Sequence, residues 1–90
     1  MDVNPIVRSR VMDYIDDNEE VILWDGFDEA IVGVARQFGV PLVVYDRQAC
    51  IAILIDIGMT LEEAEAHFGD NVEGMYSGKA TPLVLEFPDD

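Results

Sequence analysis

The stretch that most constrains the fold is residues 20–46, which reads as strand, turn, strand, turn, strand. Val21-Ile22-Leu23-Trp24 is apolar, Asp25-Gly26 is a turn pair, and residues 27–35 alternate imperfectly. Gly39-Val40-Pro41 then punctuates, and Leu42-Val43-Val44-Tyr45 is apolar again. Asp-Gly is the favoured two-residue hairpin turn because both positions take positive φ, so it predicts Trp24 opposite Phe27 across a ladder. Asp28-Glu29 fits a strand poorly, which leaves a wider loop over 25–29 as the alternative. The run Ala30-Ile31-Val32-Gly33-Val34-Ala35 lacks polar alternation and predicts a central strand covered on both faces, with Gly33 marking a bulge or a close helix contact. Two or three strands alone bury too little to be stable, so the rest of the chain has to cover them.

The remaining segments supply helices. Asn4-Pro5 starts one, with Val7, Val11, Tyr14 and Ile15 on a single face, although Arg8 and Arg10 near its start and Asp16 and Asp17 near its end oppose the helix dipole. Asp46 caps a second helix over 46–57, whose stripe of Cys50, Ile53, Leu54 and Ile57 is widened by Ile51 and Ile55 until Gly58 stops it. So wide an apolar arc calls for more than one packing layer. Thr60 with Glu63 three residues later is a capping box, and Leu61, Ala64, Phe68, Val72 and Met75 carry a third helix to about residue 73 despite Gly69. Leu83-Val84-Leu85-Glu86-Phe87 reads as a last strand. The expected architecture is α+β: a small, mostly antiparallel sheet of three to four strands packed against two or three helices. Residues 1–90 form one domain, with an N-terminal helix and acidic connector over 1–19 and a core over 20–87. A domain of this length buries roughly 60–65% of the surface its unfolded chain exposes.

Charge narrows the function. Nineteen Asp and Glu against five Lys and Arg give a formal net charge of -14. Each phosphate contact needs a cation, so direct nucleic-acid binding is disfavoured and a basic protein surface or a divalent cation is the better match. A single cysteine excludes an internal disulfide framework and fits a reducing compartment. The N-terminus lacks the basic-then-apolar pattern of a signal peptide, and the longest near-apolar stretch, 49–55, is far short of a membrane span.

The densest polar cluster is Asp25, Asp28 and Glu29, three carboxylates able to hold a hard cation or to face a basic partner. The cluster lacks the twelve-residue calcium-loop pattern. His67 follows Glu63 by one helical turn, and a hydrolytic triad would need it to meet Cys50, which lies on an apolar stripe. Asp28 and Asp46 are a candidate acid-base pair if they meet at one end of the sheet. Phosphate-binding glycine motifs and paired cysteines are absent from the sequence. Trp24, Phe27, Tyr45 and Tyr76 are candidate aromatic anchors beside acids, as interfaces favour.

The linked motifs Asp25-Gly26-Phe27-Asp28-Glu29-Ala30-Ile31-Val32-Gly33-Val34, Val44-Tyr45-Asp46, Gly58-Met59-Thr60 with Glu62-Glu63-Ala64, Asn71-Val72-Glu73-Gly74, Gly78 and Thr81-Pro82 resemble a family of small uncharacterised proteins encoded by tailed bacteriophages and prophages. The resemblance covers about residues 23–85, and Gly69-Asp70 departs from it. It implies a setting, the cytoplasm of an infected bacterium, and a role in binding a host protein, including inhibition of a host enzyme or defence factor. Together these readings predict a non-enzymatic acidic protein without a resident cofactor. Its partner would be a host protein with a basic surface, engaged through Trp24, Asp25, Asp28, Glu29 and Tyr76. Self-association into a homo-oligomer is also expected. The alternatives are a divalent-metal-dependent or ligand-binding protein, with Asp25, Asp28 and Glu29 as ligands, and a purely structural homo-oligomer.

Overall fold

The computed structural model describes Val11, Tyr14 and residues 21–75 and 78–88, with Glu73 described in its backbone only. The expected N-terminal helix, the acidic connector and Tyr76 therefore lie outside the described residues, Val11 and Tyr14 apart. The described elements are β1 (Ile31–Gln37), β2 (Val40–Asp46), α1 (Arg47–Asp56), α2 (Leu61–Phe68) and β3 (Leu83–Leu85), with a 3-10 turn at Asp28–Ala30 and a π-helical turn at Gly69–Glu73. The fold is α+β, a three-stranded mixed sheet packed by two helices. Among the described residues no helix is long and apolar enough to cross a membrane.

Strand order is β1-β2-β3, antiparallel between β1 and β2 and parallel between β2 and β3. A parallel pair needs a long crossover, and α1, α2 and the π turn supply it. The expected central strand over 30–35 is thus an edge strand. The centre belongs to β2, where Leu42, Val43 and Tyr45 are buried. Pro41 is tolerated inside this central strand because β3 pairs only with Val44, Tyr45 and Asp46, so the first half of β2 has β1 as its sole neighbour in the sheet. The register of β1 slips between Ile31 and Gly33, which places the bulge where the glycine predicted one.

The hairpin turn is not Asp25-Gly26 but Phe38-Gly39, where both residues have positive φ, 53° and 79°, as a tight two-residue hairpin requires. Asp25-Gly26 does close a turn, with the Phe27 amide donating to the Trp24 carbonyl at 3.3 Å, yet no strand lies on either side of it. The reason is the spacing of the apolar residues. In a strand, Phe27, Glu29 and Ile31 would share a face and drag a carboxylate into the core. A 3-10 turn repeats every three residues, so Phe27 and Ala30 are both buried while Asp28 and Glu29 face water. Val21-Ile22-Leu23-Trp24 likewise forms no strand.

The helices obey their caps. The Asp46 carboxylate accepts from the amides of Gln48 and Ala49 at 3.0 and 3.4 Å, and α1 runs to Asp56 before Gly58 turns at φ 116°. The capping box is complete: the Glu63 amide donates to the Thr60 hydroxyl at 3.2 Å, and the Thr60 amide donates to the Glu63 carboxylate at 2.8 Å. Cys50, Ile51 and Leu54 from α1 and Ala64 and Phe68 from α2 close over Val43 and Tyr45, and Val11 joins the same core. Helical structure continues past Gly69, as the apolar spacing predicts, but as a π turn. Replacing Thr60 with Ala removes one arm of the box in an exposed position. It should lower stability by about 1 kcal/mol, read as an earlier urea midpoint with an unchanged m value.

Candidate functional site

Residues 21–30 have no ladder to hold them, so their position depends on what they touch. The Trp24 amide donates to the Tyr45 hydroxyl at 2.8 Å, and the two rings stack with centroids 4.8 Å apart. Phe68 meets Trp24 and Phe27 edge-on at 5.9 and 5.8 Å. Edge-to-face and offset-stacked pairs of this kind add about 0.5–1.5 kcal/mol each beyond the area they bury. The Arg47 guanidinium lies 5.8 Å from the Phe68 ring centre, which brings a cation to the cluster from the first turn of α1. Four aromatic rings from the irregular segment, the central strand and α2 thereby form one cluster.

On its outer side the cluster leaves a depression of about 290 Å³, bounded by Trp24, Asp25 and Phe27 on one side and Asn71, Val72 and Met75 on the other. Trp24 is half-buried, its inner face on Tyr45 and the rest lining the depression. Asp25 stands at the rim, and Asp28 and Glu29 are exposed on the adjoining 3-10 turn. The far wall depends on the π turn. Gly74 returns so close to it that a Cβ there would lie 2.6 Å from the Gly69 carbonyl oxygen, a space open only to glycine.

Among the sequence candidates, Trp24 and Asp25 line the depression, Asp28 and Glu29 are exposed on the turn that follows, and Tyr76 lies outside the described residues. Phe27 and Tyr45 are not surface anchors: both are buried, because the cluster needs them inside. Among the described residues no group of three His, Cys, Asp or Glu side chains is placed to hold a metal ion. Asp46 spends its carboxylate on the α1 cap, Cys50 is fully buried, and Glu63 is turned to the capping box. His67 is instead paired with Asn71, at 3.4 Å between Nδ1 and Nδ2. The roles of Asn71, Val72 and Met75 had no sequence signal beyond helical spacing, since nothing in the residue pattern announces a π turn. Comparison of the chain with known protein families, with curated proteins and with solved structures finds no match.

Replacing Tyr45 with Phe keeps the stacked ring and removes the acceptor of the Trp24 amide. The expected result is a loss of about 1–2 kcal/mol in urea unfolding. Because Trp24 is the chain's one tryptophan, its fluorescence should shift to longer wavelength as the segment loosens.

Proposed function

We propose that this chain is a non-enzymatic acidic binding protein that engages a host protein through a basic surface, with Trp24 as anchor and Asp25, Asp28 and Glu29 as the steering charges. The supporting observation is the pairing of a partly exposed indole with a carboxylate at the edge of one depression. That combination suits an arginine: its planar guanidinium can lie on an indole while its fork reaches a carboxylate, and lysine satisfies the two requirements less well. The charge of the whole chain, -14, acts over a longer range and raises the encounter rate with a basic patch.

The resemblance to small phage and prophage proteins supplies the setting of this reading, the bacterial cytoplasm, and the role of inhibiting a host enzyme or defence factor. A buried cysteine and a cap-bound Asp46 suit a binding role better than a hydrolytic one. The test is charge reversal, Asp25→Lys with Asp28→Lys and Glu29→Lys, on residues whose exposure spares the core. Affinity for the partner captured from host lysate, followed by Trp24 fluorescence, should fall by roughly tenfold or more, equivalent to about 1.4 kcal/mol. Wild-type binding should weaken steeply with added salt. Unchanged capture by the reversed variant would refute the assignment. A calcium-induced rise in melting temperature that Asp28→Ala abolishes would move the site to metal binding instead.

A further inference from the structure

The tip of the β1–β2 hairpin carries a strain that the fold does not recover. Phe38 holds φ at 53°, a left-handed conformation that asparagine or glycine takes more readily, and the residue is 95% exposed. Asparagine before Gly39 would close the same turn with less strain, and an exposed ring gains nothing from burial. Phe38 instead borders a groove of about 530 Å³, shared with Gln37, Val40, Lys79, Pro82 and Leu83. Gln37 stands opposite Val40 and Leu83 opposite Val44, so the groove lies on the face of the sheet away from the helix-packed Val43 and Tyr45.

Among the described residues Lys79 is the one charged group that lines the groove, and no acid does. Asp46, on the same face, is six residues along β2 from Val40, or about 20 Å of strand, and its carboxylate is held in the α1 cap. The wall that carries Lys79 is built in advance. At the turn of residues 78–81 the Gly78 carbonyl accepts from the Thr81 amide at 3.2 Å and from the Thr81 hydroxyl at 2.6 Å, with Gly78 at φ 98° and Pro82 buried behind it. Arg36 brings a second cation to the hairpin tip, where it donates to the Gly39 carbonyl at 3.3 Å. Two of the five Lys and Arg thus stand at this end of a chain whose net charge is -14.

We propose that the groove is a binding site for a small monocarboxylic acid with an apolar body. Its volume falls within the roughly 300–1,000 Å³ of small-molecule sites, and its lining has their character, apolar walls with a few polar groups to fix orientation. One ammonium matches one carboxylate. A phosphate, with about two charges to satisfy, calls for further cations or backbone donors, and the field of the chain opposes it more strongly. Lys79 takes the carboxylate as a point charge, while Val40, Leu83 and the Phe38 ring take the apolar body. The burial that Phe38 lacks in the free protein then comes with the ligand. The groove shares no lining residue with the Trp24 depression, so the two readings stand or fall separately.

Titration of the full chain with hydrocinnamate and with octanoate, followed by amide NMR, should give saturable shifts at Phe38, Lys79 and Leu83 with a Kd of about 1 mM, and none at Trp24. Hydrocinnamyl alcohol keeps the apolar body and lacks the charge. It should bind about fivefold more weakly than hydrocinnamate, and Lys79→Gln should erase that preference. Phe38→Asn separates the use of the ring from the needs of the fold. Its urea midpoint should rise as the strained φ is relieved, while its affinity for hydrocinnamate falls about threefold. The proposal is overturned by the absence of a saturable shift at the groove up to about 10 mM acid, by equal affinity for acid and alcohol, or by a Phe38→Asn chain that binds hydrocinnamate as tightly as the wild type.

Discussion

The hydrogen bond and ring stack between Trp24 and Tyr45 hold the part of this protein that regular secondary structure does not. Tyr45 is fixed by its place in the central strand, and its hydroxyl takes the one backbone donor that would otherwise define a strand at Trp24. From that point the chain is committed to a non-strand path, and the 3-10 turn that follows sorts Phe27 and Ala30 from Asp28 and Glu29. Phe68 closes the arrangement from α2, whose own start is fixed by the Thr60 and Glu63 box. A carboxylate edge beside a partly exposed indole is thus a consequence of how an irregular segment is pinned. It does not require any residue of the edge to be stabilising in itself.

Local chemistry was legible in the sequence where it is self-contained. Both helix caps, the stop at Gly58 and the bulge near Gly33 depend on residues within a few positions of one another, and each is found where the pattern predicts. The class of fold followed from these pieces. What the pattern misjudged depends on distant partners. Val21-Ile22-Leu23-Trp24 has every local property of a strand, but the donor at Trp24 goes to a side chain 21 residues away. Asp25-Gly26 has hairpin chemistry, but the two strands that pair are joined by Phe38-Gly39, where phenylalanine accepts a positive φ that its type seldom adopts.

The candidate site divides along the same line. Its acids and its indole are adjacent in sequence, so they could be named from composition and turn chemistry. The wall opposite them could not, because it exists only where the π turn shifts Asn71 and Val72 relative to an α-helical continuation and brings Gly74 against Gly69. Phe27 and Tyr45 show the converse. As aromatic residues near acids they qualify for an interface, yet a chain of ninety residues has few large side chains from which to build a core, and burial claims them first.

The 25–29 edge holds three of the chain's nineteen acids, and that distribution bears on the proposed contact. Glu62, Glu65, Asp70 and Glu86 are exposed elsewhere, and Asp46, on the sheet face away from the helices, is buried with its carboxylate on the α1 cap. In the proposed contact the field of the whole chain would draw a basic partner from a distance, while Asp25, Asp28 and Glu29 would act at short range beside Trp24. Added salt would weaken that attraction. The depression is tied to the sheet through Tyr45, which pairs with Val84 in the ladder and stacks on Trp24 above it.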